Sequence, residues 1–286
     1  MKWMIIGFFA AELLATLWYI RSGWPVRTKS SFYVKILAAS IFLVYGILLA
    51  VLIGRGVNVS FLQDADTNEL SAAANTFVQF PNGTLASRAV HLVIAALVYG
   101  WLGDFLLGLA HQIGDNVTDT QYEKDVDYKD QLKNKKTAVN AIGVLSFLLG
   151  HLLYAVAFGR AIAGYQVGMH WWSVLLFLAP IAVYVFIGVS LKLGNHMVPL
   201  GAYFVALSVM FGLSMTLGIS MLSASVPFGL CLITGSLFFA FADLGLALES
   251  YGGEKFNNLG LRATRQIAYF MGQMLLATTI LFFYTV

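Results

Sequence analysis

Charge is what this sequence has least of. Only 17 Lys and Arg and 14 Asp and Glu occur among 286 residues, 11% in all, against 59% hydrophobic residues and a mean hydropathy of +0.78. A soluble protein of this length needs a polar exterior, and so few charged side chains, gathered in a few short segments, do not supply one. The net charge of +3 is too small and too dispersed to argue for a nucleic-acid partner. One cysteine, Cys231, stands within an apolar run, which excludes an intrachain disulfide and a thiolate metal site. The five histidines, His91, His111, His151, His170 and His196, are scattered over distant segments, without the i, i+4 spacing of a helical zinc site. No nucleophile elbow, P-loop or dinucleotide fingerprint occurs, so neither a metal nor a cofactor is expected. Disorder and an outer-membrane barrel are excluded because the apolar stretches are long and continuous rather than absent or alternating.

What is present is a series of apolar runs of the roughly 20 residues that cross a hydrocarbon core. Eight can be marked, at about 3–20, 34–54, 89–110, 139–159, 172–192, 198–219, 225–247 and 264–285. The expected fold is therefore an all-α integral membrane protein, a single domain of eight transmembrane helices over 1–286. The first run carries Glu12 and ends at Tyr19-Ile20-Arg21 without a small-residue cleavage pattern, so it reads as a helix rather than a signal peptide. Orientation follows from the basic residues: Lys2, Arg55, Arg88 and Arg160 fall on one side and the remaining 13 Lys and Arg on the other. The richer side is expected in the cytoplasm, with both termini on the non-cytoplasmic side. The long connection 54–87 then faces outward, and the charged connection 112–138 faces the cytosol; both read as solvated loops. Asn58 and Asn82 head Asn-X-Ser/Thr triplets, which would accept glycans only in a eukaryotic secretory pathway. The cell membrane, or the inner membrane of a bacterium, is the expected location.

An ionisable side chain within a transmembrane helix costs at least about 2–3 kcal/mol and is by default a functional-site hypothesis. Glu12, Asp104, His151 and Asp243 lie within the first, third, fourth and seventh runs, while Lys35 and His111 stand at cytoplasmic ends. Asp104 is expected about 9 Å, and Asp243 about 6 Å, from the cytoplasmic end of its helix, which places the two acids at one depth. Helical periodicity adds polar neighbours: His111 on the face of Asp104, Ser236 on that of Asp243, and Asn140 and Tyr154 on that of His151. The eighth span carries the stripe Arg262, Gln266, Tyr269, Gln273, and the sixth carries Tyr203, Met210, Ser214. Turned inward, these stripes would surround a wet pocket opening to the cytosolic leaflet. Tyr203 and Tyr269 also fit interfacial anchoring, and His151 fits an interhelical hydrogen bond. Glu12, without polar company on its own face, reads as a neutral, hydrogen-bonded acid.

The words Leu148–Leu153 (LLGHLL) and Phe270–Leu275 (FMGQML) resemble one another, as do Trp101–Asp104 (WLGD) and Phe241–Asp243 (FAD). Spans 3–4 and 7–8 thus look like variants of one hairpin. A 4+4 repeat of this kind would relate the halves by an axis along the membrane normal and set the two aspartates across it.

At these residues the chain resembles the lysoplasmalogenase (YhhN-like) family of eight-span membrane hydrolases. Four stretches carry the resemblance: Gly100–Leu107 (GWLGDFLL), Phe147–Tyr154 (FLLGHLLY), Gly235–Leu244 (GSLFFAFADL) and Tyr269–Gln273 (YFMGQ). Two departures stand out, Lys35-Ile36 where the family usually has Lys-Pro and Ala242-Asp243 where it usually has Ser-Asp. The resemblance implies hydrolysis of the vinyl-ether bond of lysoplasmalogens to a fatty aldehyde and glycerophospho-ethanolamine or -choline, with Asp104 and Asp243 as catalytic groups. The implied partner is a lysophospholipid within the bilayer, among other membrane lipids.

The residues suit that chemistry. Vinyl-ether hydrolysis needs one protonated acid and one carboxylate flanking an oxocarbenium ion, the division of labour seen in glycoside hydrolysis. A carboxyl pair in a low-dielectric site is expected to share one proton. His151, Tyr154, Tyr203, Tyr269 and Gln273 are candidates for binding substrate and orienting water or the glycerol hydroxyl, and Lys35 for meeting the phosphate. A transporter or lipid-binding protein would also use buried acids and a repeat. Against a transporter, paired helix interruptions are missing, with only Pro180 well inside a span.

Overall fold

The computed structural model describes residues 1–23, 29–55, 83–117, 126–194 and 197–283. Among them no strand occurs, and eight helices are long and apolar enough to cross a membrane. They are α1 (Lys2–Ser22), α2 (Lys29–Gly54), α3 (Gly83–Val117), α4 (Val126–Gly164), α5 (Trp171–Ser190), α6 (Met197–Met221), α7 (Val226–Tyr251) and α8 (Leu259–Thr278). A 3-10 turn, Glu254–Phe256, joins α7 to α8, and a last short helix α9 (Ile280–Phe283) continues the eighth span. The chain is an integral, multi-pass helical membrane protein. In hydrocarbon only such helices, or a closed barrel, satisfy every backbone polar group internally.

Helix ends correct the expected boundaries. Residues 112–117 and 126–138, expected in a charged loop, continue α3 and begin α4. Gly54 ends α2, and α3 already starts at Gly83. Asp130, Lys133, Lys135 and Lys136 near the start of α4 lie exposed. The remainder of both loops, with Asn58 and Asn82, lies outside the described residues.

Neighbouring helices pack in a pattern that repeats. In the first half α1 lies on α2, α2 on α3 and α3 on α4; in the second, α5 lies on α6, α6 on α7 and α7 on α8. Across the halves α4 meets α6 and, correspondingly, α8 meets α2. These adjacencies follow the 4+4 organisation suggested by the two similar hairpins, except that α1 also lies on α8 while α5 does not lie on α4 to a comparable extent. The spans of α8 and α6 are the most buried, and α1 and α5 the most peripheral. Large apolar side chains such as Leu14, Trp171, Phe186 and Val189 point outward, as a lipid-facing surface requires.

Close helix approaches depend on small residues, because hydrocarbon gives no hydrophobic drive and association rests on packing. At Gly272 of α8 a methyl group would lie 3.1 Å from the carbonyl oxygen of Gly235 on α7. At Gly100 of α3 it would lie 2.9 Å from Gln273 Nε2 of α8. The glycines of the GWLGD and YFMGQ words therefore bring α3 and α7 close to α8, and on the α3 side Tyr269 reaches Asp104.

Candidate active site

Asp104 and Asp243 are both buried and both line a cavity of about 470 Å³. The cavity reaches the end of the bundle where α1, α3 and α7 finish and α2 and α8 begin, for Tyr19, His111, Glu249 and Arg262 also line it. Asp104 lies nine residues before Ile113 and Asp243 eight before Tyr251, where their apolar spans end, or about 14 and 12 Å along the axes. The matched depth holds, and both acids lie deeper than expected because the helices run further.

Each aspartate is held on two sides. Asp104 Oδ1 is 2.9 Å from Lys35 Nζ on α2, and its Oδ2 accepts a hydrogen bond of 2.7 Å from Tyr269 on α8. Asp243 Oδ2 lies 2.9 Å from His151 Nε2 on α4 and accepts from the Tyr203 hydroxyl on α6 at 3.0 Å. So each acid takes one partner from the second helix of its own half and one from the fourth helix of the other. This is the pairing that a pseudo-twofold arrangement produces. The α8 partner extends the network, since Gln273 Nε2 donates to the Tyr269 hydroxyl at 3.3 Å and Gln273 Oε1 accepts from Tyr154 on α4 at 2.9 Å. All eight residues expected from the sequence are thereby brought to this site. Phe147 and Phe239 pack edge-on or tilted against Tyr269 and His151 and form its apolar wall.

The two settings are chemically unequal. Both oxygens of Asp104 are engaged by donors, one of them an ammonium, an arrangement that suits a carboxylate. On the other side, His151 Nδ1 is 2.6 Å from the Phe147 carbonyl oxygen, which only accepts, so Nδ1 carries a hydrogen. A further proton then lies between His151 Nε2 and Asp243, whichever of the two formally bears it. Asp243 Oδ1 takes no hydrogen bond among the described residues and is the oxygen left to the cavity. No hydrogen bond joins the two carboxyls; the proton expected between the aspartates is shared between Asp243 and His151 instead, because each acid has its own buried partners.

Several polar neighbours expected at the site turn elsewhere. Lys35, expected to meet the substrate phosphate, is paired with Asp104. The Ser236 and Ser214 hydroxyls donate to carbonyls of their own helices, and Asn140 is exposed. His111 lines the cavity while its Nδ1 lies 2.7 Å from the Leu107 carbonyl. Glu12 is fully buried, yet neither carboxyl oxygen has a hydrogen-bond partner among the described residues, contrary to the hydrogen-bonded acid expected. The sequence reading missed Glu249 and gave no site role to Arg265. Both line the cavity and form a buried ion pair there. The available signal was the i, i+3 pair Arg262 and Arg265 facing an acid across a short hairpin.

Fold and site together define a polytopic helical membrane protein with a paired-aspartate cavity. The sequence model of the YhhN family matches residues 70–280. This chain belongs to the YhhN family. Comparison with curated proteins and with solved structures found no match.

Proposed function

We propose that this protein is a lysoplasmalogenase that hydrolyses the vinyl-ether bond of a lysoplasmalogen within the bilayer, releasing a fatty aldehyde and a glycerophospho-ethanolamine or -choline. The observation that carries the reading is the unequal setting of two buried aspartates on one cavity, Asp104 against a lysine and Asp243 against a histidine. Membership of the YhhN family supports it.

A vinyl ether resists nucleophiles but accepts a proton at its β-carbon, which leaves an oxocarbenium ion. Water adds to the cationic carbon and gives up a proton, forming a hemiacetal. The hemiacetal then breaks its bond to the glycerol oxygen, which takes the proton that Asp104 received from water, while the hemiacetal hydroxyl gives its own proton to Asp243; the products are one aldehyde and one alcohol for each water consumed, and both acids are restored. The Asp243 carboxyl, which takes its proton from His151, supplies the first proton. Asp104, kept as an anion by Lys35, stabilises the cation and takes the proton from water. Tyr269, itself held by Gln273, fixes the Asp104 carboxylate, and Tyr203 fixes Asp243. The roles are those of the acid and the carboxylate in glycoside hydrolysis, transferred to an acyclic ether. The bias of basic residues puts the cavity mouth on the cytoplasmic side.

The test is direct. Purified full-length protein in detergent, given lysoplasmalogen, is expected to release aldehyde. No aldehyde over a range of pH and lipid composition would overturn the reading.

A further inference from the structure

The cavity is not lined alike on all sides. Its apolar lining residues, Leu107, Phe147, Ala242 and Leu246, come from α3, α4 and α7 only. Among the described residues α1, α2 and α8 contribute side chains that carry a polar group: Tyr19, Lys35, Arg262, Arg265, Gln266 and Tyr269. The apolar set is closely built. A methyl group added at Gly103 of α3 would lie 2.6–2.9 Å from three ring carbons of Phe147, so that ring rests flat on the backbone beside Asp104. Leu107 rests in the same way on Gly143 of α4, where a methyl group would meet it at 3.0 Å.

The two flanks of the cavity differ as well. Between α3 and α8 stands α2, and that flank is closed by Lys35 of α2 and Tyr19 of α1. Arg262 Nη1 donates to the Gly23 carbonyl oxygen at 3.3 Å, which ties the end of α1 to the start of α8. The flank related to it by the pseudo-twofold lies between α4 and α7, with α6 against both. There no described residue of α6 lines the cavity, and α5, the counterpart of α1, does not lie on α4. Instead the Tyr184 hydroxyl donates to the Met197 carbonyl oxygen and ties the end of α5 to the start of α6. His151 and Tyr154 of α4 meet Asp243 and Phe239 of α7, and these contacts lie deeper in the bundle than Phe147 and Leu246.

We propose that the hydrocarbon chain of the substrate lies against Leu107, Phe147, Ala242 and Leu246 and runs out to the bilayer between α4 and α7, on the flank that α5 leaves uncovered. The inference rests on the reaction proposed above and gives that site a chain-binding wall and an entry route. The apolar set begins beside the acids: Ala242 adjoins Asp243, Leu107 lies one turn past Asp104, and Phe147 one turn before His151. A vinyl ether held at the aspartates therefore has the first carbons of its chain on these side chains. A long hydrocarbon chain gains nothing by leaving the bilayer for a cavity that also holds the charged groups of Lys35 and Glu249. With a lateral exit only its first carbons enter, and the rest stays in hydrocarbon.

The test uses the full-length protein in detergent and a 1-alkyl lysophospholipid, which has no vinyl ether to cleave, with a photoreactive diazirine midway along its chain. After irradiation the labelled peptides are mapped. Only label displaced by an excess of the unlabelled alkyl lipid is counted, which removes general labelling of the lipid-facing surface. Displaceable label is expected to be at least tenfold heavier on α4, α7 and the first turns of α6 than on α1 and α2. Displaceable label on α1 or α2, an even spread, or no displaceable label would overturn the chain site. A second reading compares kcat/KM for lysoplasmalogens with hexadecenyl and propenyl chains, the shorter of which ends inside the cavity. Leu246→Trp fills the exit and is expected to lower the long-to-short ratio at least tenfold, through KM. Leu14→Trp, on the lipid-facing side of α1, is expected to leave the ratio as it is. An unchanged ratio in folded Leu246→Trp would overturn the exit, and if that variant does not fold the label map decides alone. Displaceable label on α4 and α7 with no aldehyde from lysoplasmalogen would leave the chain site standing and overturn the reaction. Aldehyde release with the label on α1 or α2 would do the reverse.

Discussion

His151 Nε2 and Asp243 Oδ2 lie 2.9 Å apart, while the other ring nitrogen of His151 is tied at 2.6 Å to the carbonyl of Phe147 one turn earlier. The backbone bond fixes the ring and leaves one mobile proton on the side of the acid. In the proposed reaction that proton begins each turnover. His151→Gln keeps a polar group in place but cannot store a proton, so kcat is expected to fall about 100-fold or more, in the range typical for loss of general acid catalysis. Aldehyde release by His151→Gln at the native rate would remove His151 from proton delivery.

Asp104→Asn and Asp243→Asn are each expected to abolish aldehyde release with little change in melting temperature, since an amide fills the same space. Wild-type-like turnover in either would dismiss the two-carboxylate mechanism.

Lys35→Met removes the ammonium that balances Asp104. Breaking a buried pair on one side costs about 3–5 kcal/mol because the other charge is left unpaired. A marked drop in melting temperature is expected, and Lys35→Met/Asp104→Asn should recover most of the stability but none of the activity. Recovery of activity in the double variant would contradict the assigned role of the Asp104 carboxylate.

Gly100→Ala places a methyl group 2.9 Å from Gln273 Nε2 and 3.6 Å from the Tyr269 hydroxyl. Gln273 must shift, and it acts on Asp104 through its hydrogen bond to the Tyr269 hydroxyl. The expected result is a loss of kcat of about tenfold, the scale of a small misplacement at a catalytic group, with a smaller effect on stability. Equal activity would show that Gly100 merely fills space.

Glu12→Leu replaces a fully buried acid without a hydrogen-bond partner. Burying an unsatisfied polar group costs about 1–3 kcal/mol, so the variant is expected to melt higher and to retain turnover. Loss of turnover would bring Glu12 into the chemistry.

The legibility of the site varied with the kind of residue. Asp104, Asp243 and His151 stood out in the sequence because an ionisable group in an apolar run is costly, and the structure brings them to one cavity. Gln273, Tyr154 and Tyr269 were legible through helical periodicity and the repeated Gly-His and Gly-Gln words. Arg265 and Glu249 were not. A basic residue near a span end is read first as an orientation marker, and a period along one helix does not show that an acid on α7 meets an arginine on α8. Ser236 and Asn140 show the converse, since sharing a face with a site residue does not decide where a hydroxyl or amide finds its partner.

By itself the sequence determined that the protein lies in a membrane, how many helices cross it, and which few polar residues must be sheltered within them. The length and apolarity of each run are local properties, and the bilayer's penalty on charge acts residue by residue. Only the tertiary structure decided which acid meets the ammonium and which the imidazole. Those contacts join residues 69 and 92 positions apart on different helices. Their geometry is set by how closely glycines let the helices approach, a property of paired surfaces that no single helix carries.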